Sequence, residues 1–359
     1  MKKGFRLVSL FLVVSLMLCL SACKAESHKT QDGGEMEPFI FTDSCGREVE
    51  LGKNIERVAP SGLIASMILI AAAPEKMVSV SKELSDSQRK YLPDCIDTLE
   101  ATGQLYGGKA TLNLEQLLAL DPQVMIDFGD YKDSLAADLD AFTEQTGIPA
   151  IFIESDLDSL GEAFRTVGKL LGCEERCNAC AELAERTLAM AEENRAKISP
   201  EDAVRVMFTT GPSGLGTNPE GSFHAQVIDL IGAKNAIVLN EISQAGGGNP
   251  INLEQLYNFD PDIIIMNPDA PYGEILSDPA WAELEAVKNG RVYVIPASPY
   301  NFVADPPSVN MILGVWWLGS ICYPEIYDYD LTEAVQECYR VLWGYELSDE
   351  EASAFLGAA

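Results

Sequence analysis

Histidine is almost missing: the 359 residues contain two, His28 and His224. That leaves no set of imidazoles for a multi-histidine zinc or manganese site. Basic residues are scarce as well. Lysine and arginine total 25 against 55 aspartates and glutamates, which argues against nucleic acid as a partner and against long-range attraction of anionic ligands. Catalytic signatures are lacking too. There is no Gly-x-Ser-x-Gly elbow and no His-Glu-x-x-His helix, and the glycine-rich Gly211 to Gly216 has neither the phosphate-loop lysine nor dinucleotide spacing. No enzymatic chemistry, resident cofactor or protein-held metal is expected.

The apolar run from Leu7 to Leu20 is too short for a comfortable membrane span. It follows Lys2, Lys3 and Arg6 and ends in Leu20-Ser21-Ala22-Cys23, the pattern of a lipoprotein signal peptide over residues 1–22. Cys23 is then the lipidated residue, and the chain is expected at the extracytoplasmic face of the cell membrane, anchored by lipid. The polar tract 23–37 reads as a flexible tether.

Once Cys19 leaves with the signal and Cys23 carries lipid, seven of the nine cysteines remain, an odd number that does not describe a disulfide scaffold. Cys322 and Cys338, on neighbouring helical segments, are the candidate bridge. Cys173, Cys177 and Cys180 fall on one face of a predicted helix, which suits small packing residues better than a metal cluster.

The most informative feature is a repeat. Leu112-Asn113-Leu114-Glu115-Gln116-Leu117 recurs as Ile251-Asn252-Leu253-Glu254-Gln255-Leu256, with Asp121-Pro122 and Asp260-Pro261 at the same offset and glycine pairs, Gly107-Gly108 and Gly246-Gly247, before each copy. Each unit reads as a short helix ended before proline, then a strand apolar on both faces, as a buried parallel strand is. Strands and helices alternate around both units, giving an α/β fold of two Rossmann-like lobes with central parallel sheets. The segment between them is rich in Ala, Glu, Leu and Arg and reads as one or two helices, the second long. The predicted boundaries are an N-terminal lobe over 38–160, a rigid helical backbone over 161–200 and a C-terminal lobe over 201–359, with a ligand cleft between the lobes.

On these residues the chain resembles the helical-backbone solute-binding proteins that serve ABC importers of ferric siderophores, cobalamin, haem and related chelates. The resemblance covers about residues 38–345. It rests on the opening Phe41-Thr42-Asp43-Ser44-Cys45-Gly46-Arg47, on the paired Asn-Leu-Glu segments, on Asp278-Pro279-Ala280-Trp281 and on Ala286-Val287-Lys288-Asn289-Gly290-Arg291-Val292-Tyr293. It implies a small-molecule ligand, a metal chelate, handed to a two-subunit permease driven by a cytoplasmic ATPase. It also implies that Glu115 and Glu254, one on each lobe, dock into basic pockets of that permease.

In open α/β sheets the ligand lies outside the carboxyl ends of the strands. That rule selects Ser61, Tyr106, Lys109, Asp130 and Tyr131 in the N-terminal lobe. In the C-terminal lobe it selects Ser213, Asn249, Asn267, Tyr300 and Asn301, with Trp316 beyond them, although a mostly apolar helix around Trp316 must bury one face anyway. Lys109 is the only basic residue in these loops, which favours a ferric hydroxamate or a corrinoid over a catecholate chelate or an oxyanion such as molybdate. Cobalamin, haem and molybdate are the alternative cargoes. A surface lipoprotein without a ligand and an extracellular hydrolase are the readings from other classes.

Overall fold

The computed structural model describes residues 38–106, 111–243 and 247–356. An antiparallel hairpin, β1 (Phe39–Thr42) and β2 (Glu48–Leu51), opens it. Its turn is held by buried Asp43, which accepts from the Cys45 and Arg47 backbone N–H groups at 3.0 and 2.9 Å and pairs with the Arg47 guanidinium at 2.7 Å.

The N-terminal lobe alternates strand and helix: β3 (Val58–Pro60), α1 (Leu63–Ala72), β4 (Ser79–Val80), β5 (Glu100–Ala101), α2 (Leu114–Ala119), β6 (Val124–Gly129), α3 (Leu135–Thr146) and β7 (Ala150–Glu154). β3, β6 and β7 pair in parallel with β6 central, β4 pairs with β5, and a Val58–Met77 bridge joins the two ladders. Both faces of β6 are covered, as a central parallel strand requires. Val124, Ile126 and Phe128 enter the larger core, while Met125 packs with Leu139, Phe142 and Phe152 on the other side.

Two helices follow, α4 (Leu160–Leu171) and α5 (Glu174–Arg195), as the composition between the lobes predicts. The 22 residues of α5 span about 33 Å. Cys177, Cys180, Ala181 and Ala184 form a buried face of small residues, so α5 lies close on its neighbours; a Cβ at Gly168 of α4 would sit 2.9 Å from that of Cys177. The helix also braces both lobes. Arg176 Nε donates to the Ala71 carbonyl at the end of α1 at 2.6 Å, and Thr187 Oγ1 accepts from the Trp316 indole at 3.1 Å.

The C-terminal lobe contains β8 (Arg205–Thr210), β9 (Gly216–Thr217), α6 (Gln226–Leu230), β10 (Lys234–Asn235), β11 (Asn249–Pro250), α7 (Leu253–Phe259), β12 (Ile263–Met266), β13 (Val292–Val294), α8 (Met311–Cys322) and α9 (Leu331–Trp343). β10, β8, β12 and β13 are parallel. The central strands are parallel as expected, and an antiparallel edge extends them: β9 turns back on β8, and β11 pairs antiparallel with β9. The cause is the short Gly211–Leu215 connection, which is a hairpin-length turn and not a helical crossover.

The repeat is a repeat of helix caps. Asn113 and Asn252 are the N-caps of α2 and α7, accepting from the Gln116 and Gln255 N–H groups at 3.1 and 2.9 Å. Each helix is followed by an aspartate with positive φ, Asp121 at 49° and Asp260 at 40°. An arginine from the start of each lobe's sheet caps the carbonyl end: Arg57 Nε donates to the Asp121 carbonyl at 2.6 Å and Arg205 Nη1 to that of Asp260 at 2.9 Å.

The proposed Cys322–Cys338 bridge is not formed. All seven described cysteines are free thiols, and Cys322 and Cys338 are each buried as small apolar side chains between α8 and α9.

Candidate ligand cleft and docking carboxylates

The parallel register of β3 and β6 sets Pro60 beside Ile126, so the residue after each, Ser61 and Asp127, meet at the carboxyl ends of the two strands. The Ser61 hydroxyl donates to Asp127 Oδ1. Asp127 leaves β6 on the same face as Met125 and opposite Phe152 of β7, and it is only 6 % exposed. Burial pushes its carboxyl up to about 6, against the opposing effects of the Ser61 hydroxyl, the Phe128 N–H and Lys132.

This pair lies in the wall of a cavity of about 1010 Å³ shared by the two lobes. From the N-terminal lobe come Gln104, Tyr106, Asp130, Lys132 and Asp138; from the C-terminal lobe come Phe223, His224, Gln226, Asp229 and Pro306. The volume suits a ligand at or beyond the upper end of the usual small-molecule range. The Tyr106 hydroxyl is buried without a hydrogen-bond partner among the described residues. Burial, with Asp127 and Asp138 nearby, pushes it well above the ordinary phenol range. Burial also raises Asp130 and Asp229, helped by Asp156 and Glu220 respectively.

Two smaller spaces adjoin the C-terminal lobe. One, of about 520 Å³, is lined by Thr210, Gly211, Ser213, Asn267, Asp269 and Asp305. The other, of about 320 Å³, lies between Ser85 and Gln88 on one side and Asn267, Tyr300 and Asn301 on the other. Their floor is a polar lattice. Asn301 Nδ2 donates to Asn267 Oδ1 at 2.6 Å, while Asn301 Oδ1 accepts from the Val303 and Ala304 N–H groups at 2.9 and 3.0 Å.

Residues 63–299 match the family described as periplasmic binding protein. The chain belongs to that family. The molybdate-binding protein MolA of Haemophilus influenzae is 23% identical over 345 residues, covering 88% of this chain and 93% of its own. The Fe(3+)-citrate-binding protein YfmC of Bacillus subtilis is 23% identical over 289 residues, covering 78% and 86%. Among solved structures, an ABC transporter solute-binding protein from Sulfurospirillum deleyianum superimposes with a TM-score of 0.81 at 28% identity, covering 89% of this chain and 99% of the other. This periplasmic binding protein is of the iron, cobalamin and haem type, a substrate-binding component of an ABC importer; its relatives are transport proteins, not enzymes.

Within this binding protein Ser61, Tyr106 and Asp130 line the large cavity, Ser213 and Asn267 the second, and Asn267, Tyr300 and Asn301 the third. Three expected ligand residues stand outside these walls. Tyr131 is 52% exposed beside the cleft. Asn249 is spent on its own loop, accepting from the Ser243 N–H and donating to the Glu241 carbonyl, both at 2.8 Å. Trp316 packs on Thr187 and edge-on to Tyr329 at 4.5 Å, so the need of α8 to bury a face decides its place. Lys109 and Cys23 lie outside the described residues.

Asp127, Lys132, Asp138, Asp229 and His224 are not among the residues selected from the sequence, yet all five line the cavity, and His224 is buried there. Asp127 had a signal: it is the single charge in an otherwise apolar strand, two residues before a glycine. Asp229 had none, because it reaches the cleft from α6 and not from a loop after a strand. Glu115 and Glu254 are both exposed in the first turns of α2 and α7, where the helix dipole favours a carboxylate.

Proposed function

We propose that this substrate-binding protein is lipid-anchored through Cys23 and captures a ferric chelate of the hydroxamate type between its lobes for delivery to the permease. The observation that carries the reading is the 1010 Å³ cavity walled by both lobes. A bare oxyanion would leave most of that volume to water, whereas a chelate several times larger fills it. Molybdate and ferric citrate, named for the two relatives, are anions, and aspartates outnumber basic groups in these walls. Tyr106, Phe223 and Phe128 offer flat apolar contact, and Gln104, Gln226 and Ser61 offer neutral hydrogen-bonding groups to a hydroxamate backbone. The brace from α5 to both lobes supports capture by small rocking movements around a preformed cleft.

The test is uptake of radioactive iron from a ferric trihydroxamate by host cells with and without the gene for this chain. Uptake is expected to fall to background in its absence and to return on re-expression. Uptake independent of the chain for hydroxamate, catecholate and haem iron alike contradicts the proposal.

A further inference from the structure

We infer that the cavity selects a ligand bearing positive charge: a metal chelate that presents a protonated amine to Asp127 and the carboxylates around it. The inference rests on the proposal that a chelate occupies the cleft, and it adds the sign of charge that the cleft accepts.

Four aspartates, Asp127, Asp130, Asp138 and Asp229, share these walls with one lysine, Lys132, and with His224. Arg47, whose charge acts on Tyr106, does not redress the balance, since it is already paired with Asp43 and Asp140, each at 2.7 Å. Walls of low polarizability focus the field of such a cluster into the cavity, so an entering cation gains and an anion loses.

Asp127 marks where the charge is read. Its carboxylate is held in one orientation by the Ser61 hydroxyl and makes no ion pair with the described residues, although it is nine-tenths buried. A buried carboxylate without a cationic partner is costly, and functional sites are where such costs are retained. The Tyr106 hydroxyl on the same wall is buried and has no hydrogen-bond partner among the described residues. An ammonium has three N–H donors; it can give one to Asp127 and one to the Tyr106 oxygen while its stem lies against the Tyr106 and Phe223 rings.

The closing experiment uses a matched pair of probes on the full chain in detergent, read by titration calorimetry. Ferrioxamine B is a linear ferric trihydroxamate with one terminal ammonium, and its N-acetyl derivative is the same chelate without that charge. The ammonium form is expected to bind about tenfold tighter or better, and Asp127→Asn is expected to shrink that ratio to about twofold. Equal affinity for the two probes overturns the inference while leaving chelate capture intact. Tighter binding of a ferric tricatecholate or of molybdate overturns it as well. If no chelate binds but a metal-free primary ammonium, n-hexylammonium, does, the chelate reading falls and the charge preference stands; if nothing binds, both fall.

Discussion

Replacing Asp127 by asparagine makes the unliganded protein more stable at neutral pH, by roughly 1–3 kcal/mol. The size follows from the displacement of this carboxyl from 3.8 to about 6, at about 1.4 kcal/mol per unit, less whatever the carboxylate loses when an amide takes over its hydrogen bonds. Asparagine keeps an oxygen that accepts from Ser61, so no buried group is orphaned. The pH dependence has a definite sign. A carboxyl whose folded value is raised is at its least costly below the unfolded value; the cost grows as pH rises and is complete above the folded one. The advantage of the variant is therefore small below about 4, develops between about 4 and about 6, and is constant above. The groups facing Asp127 do not reverse this, because Lys132 and the Phe128 N–H already act in the value cited and Tyr106 stays neutral throughout the window. Chemical denaturation of parent and variant across this range checks it. A variant less stable than the parent at neutral pH would mean that Asp127 is a structural anchor.

If Glu115 and Glu254 are the docking carboxylates that the family resemblance implies, Glu115→Lys with Glu254→Lys is expected to abolish delivery and leave capture alone. Both carboxylates sit in the second position of a helix whose first turn is capped by asparagine, Asn113 in one lobe and Asn252 in the other. Their side chains are exposed, and neither lines any of the three spaces described above. A lysine at such a site costs the helix about 0.3–1 kcal/mol through the dipole, too little to disturb the fold. Against a permease that presents basic pockets, each reversal replaces attraction by repulsion, and two equivalent contacts compound. Uptake is expected to fall more than about a hundredfold for the double variant and about tenfold for either single one, while chelate affinity stays within about twofold. Full uptake by the double variant would leave the two glutamates as solvated helix carboxylates.

The architecture was legible because it is written in patterns that act locally. Asparagine caps followed by Leu-Glu-Gln, an Asp-Pro stop and an apolar strand fix each repeated unit from within a dozen residues, and the Ala- and Glu-rich run between the lobes can only be helix. The antiparallel turn-back at β9 was not legible, since glycine and serine permit it without requiring it. The cleft was half legible. Rules about strand ends found Ser61, Tyr106 and Asp130, which lie where the chain leaves the sheet. They missed Asp127, because a strand read as uniformly apolar hides the one charged position, near the carboxyl end of the central strand, that lines the cavity. They missed Asp229 because helix orientation places it. Trp316 went the other way: an aromatic near cleft loops in sequence is claimed by the bracing contact with α5 once the fold closes.

Hydrogen exchange of the full chain, with and without saturating ferrioxamine B, tests the central claim most directly. Protection is expected in both lobes together, in peptides spanning 61–65, 104–106 and 127–135 and in those spanning 221–229, with α2 and α7 unchanged. Protection confined to one lobe, or gathered instead around Thr210 to Ser213 and Asn267, would contradict capture in the cleft between the lobes.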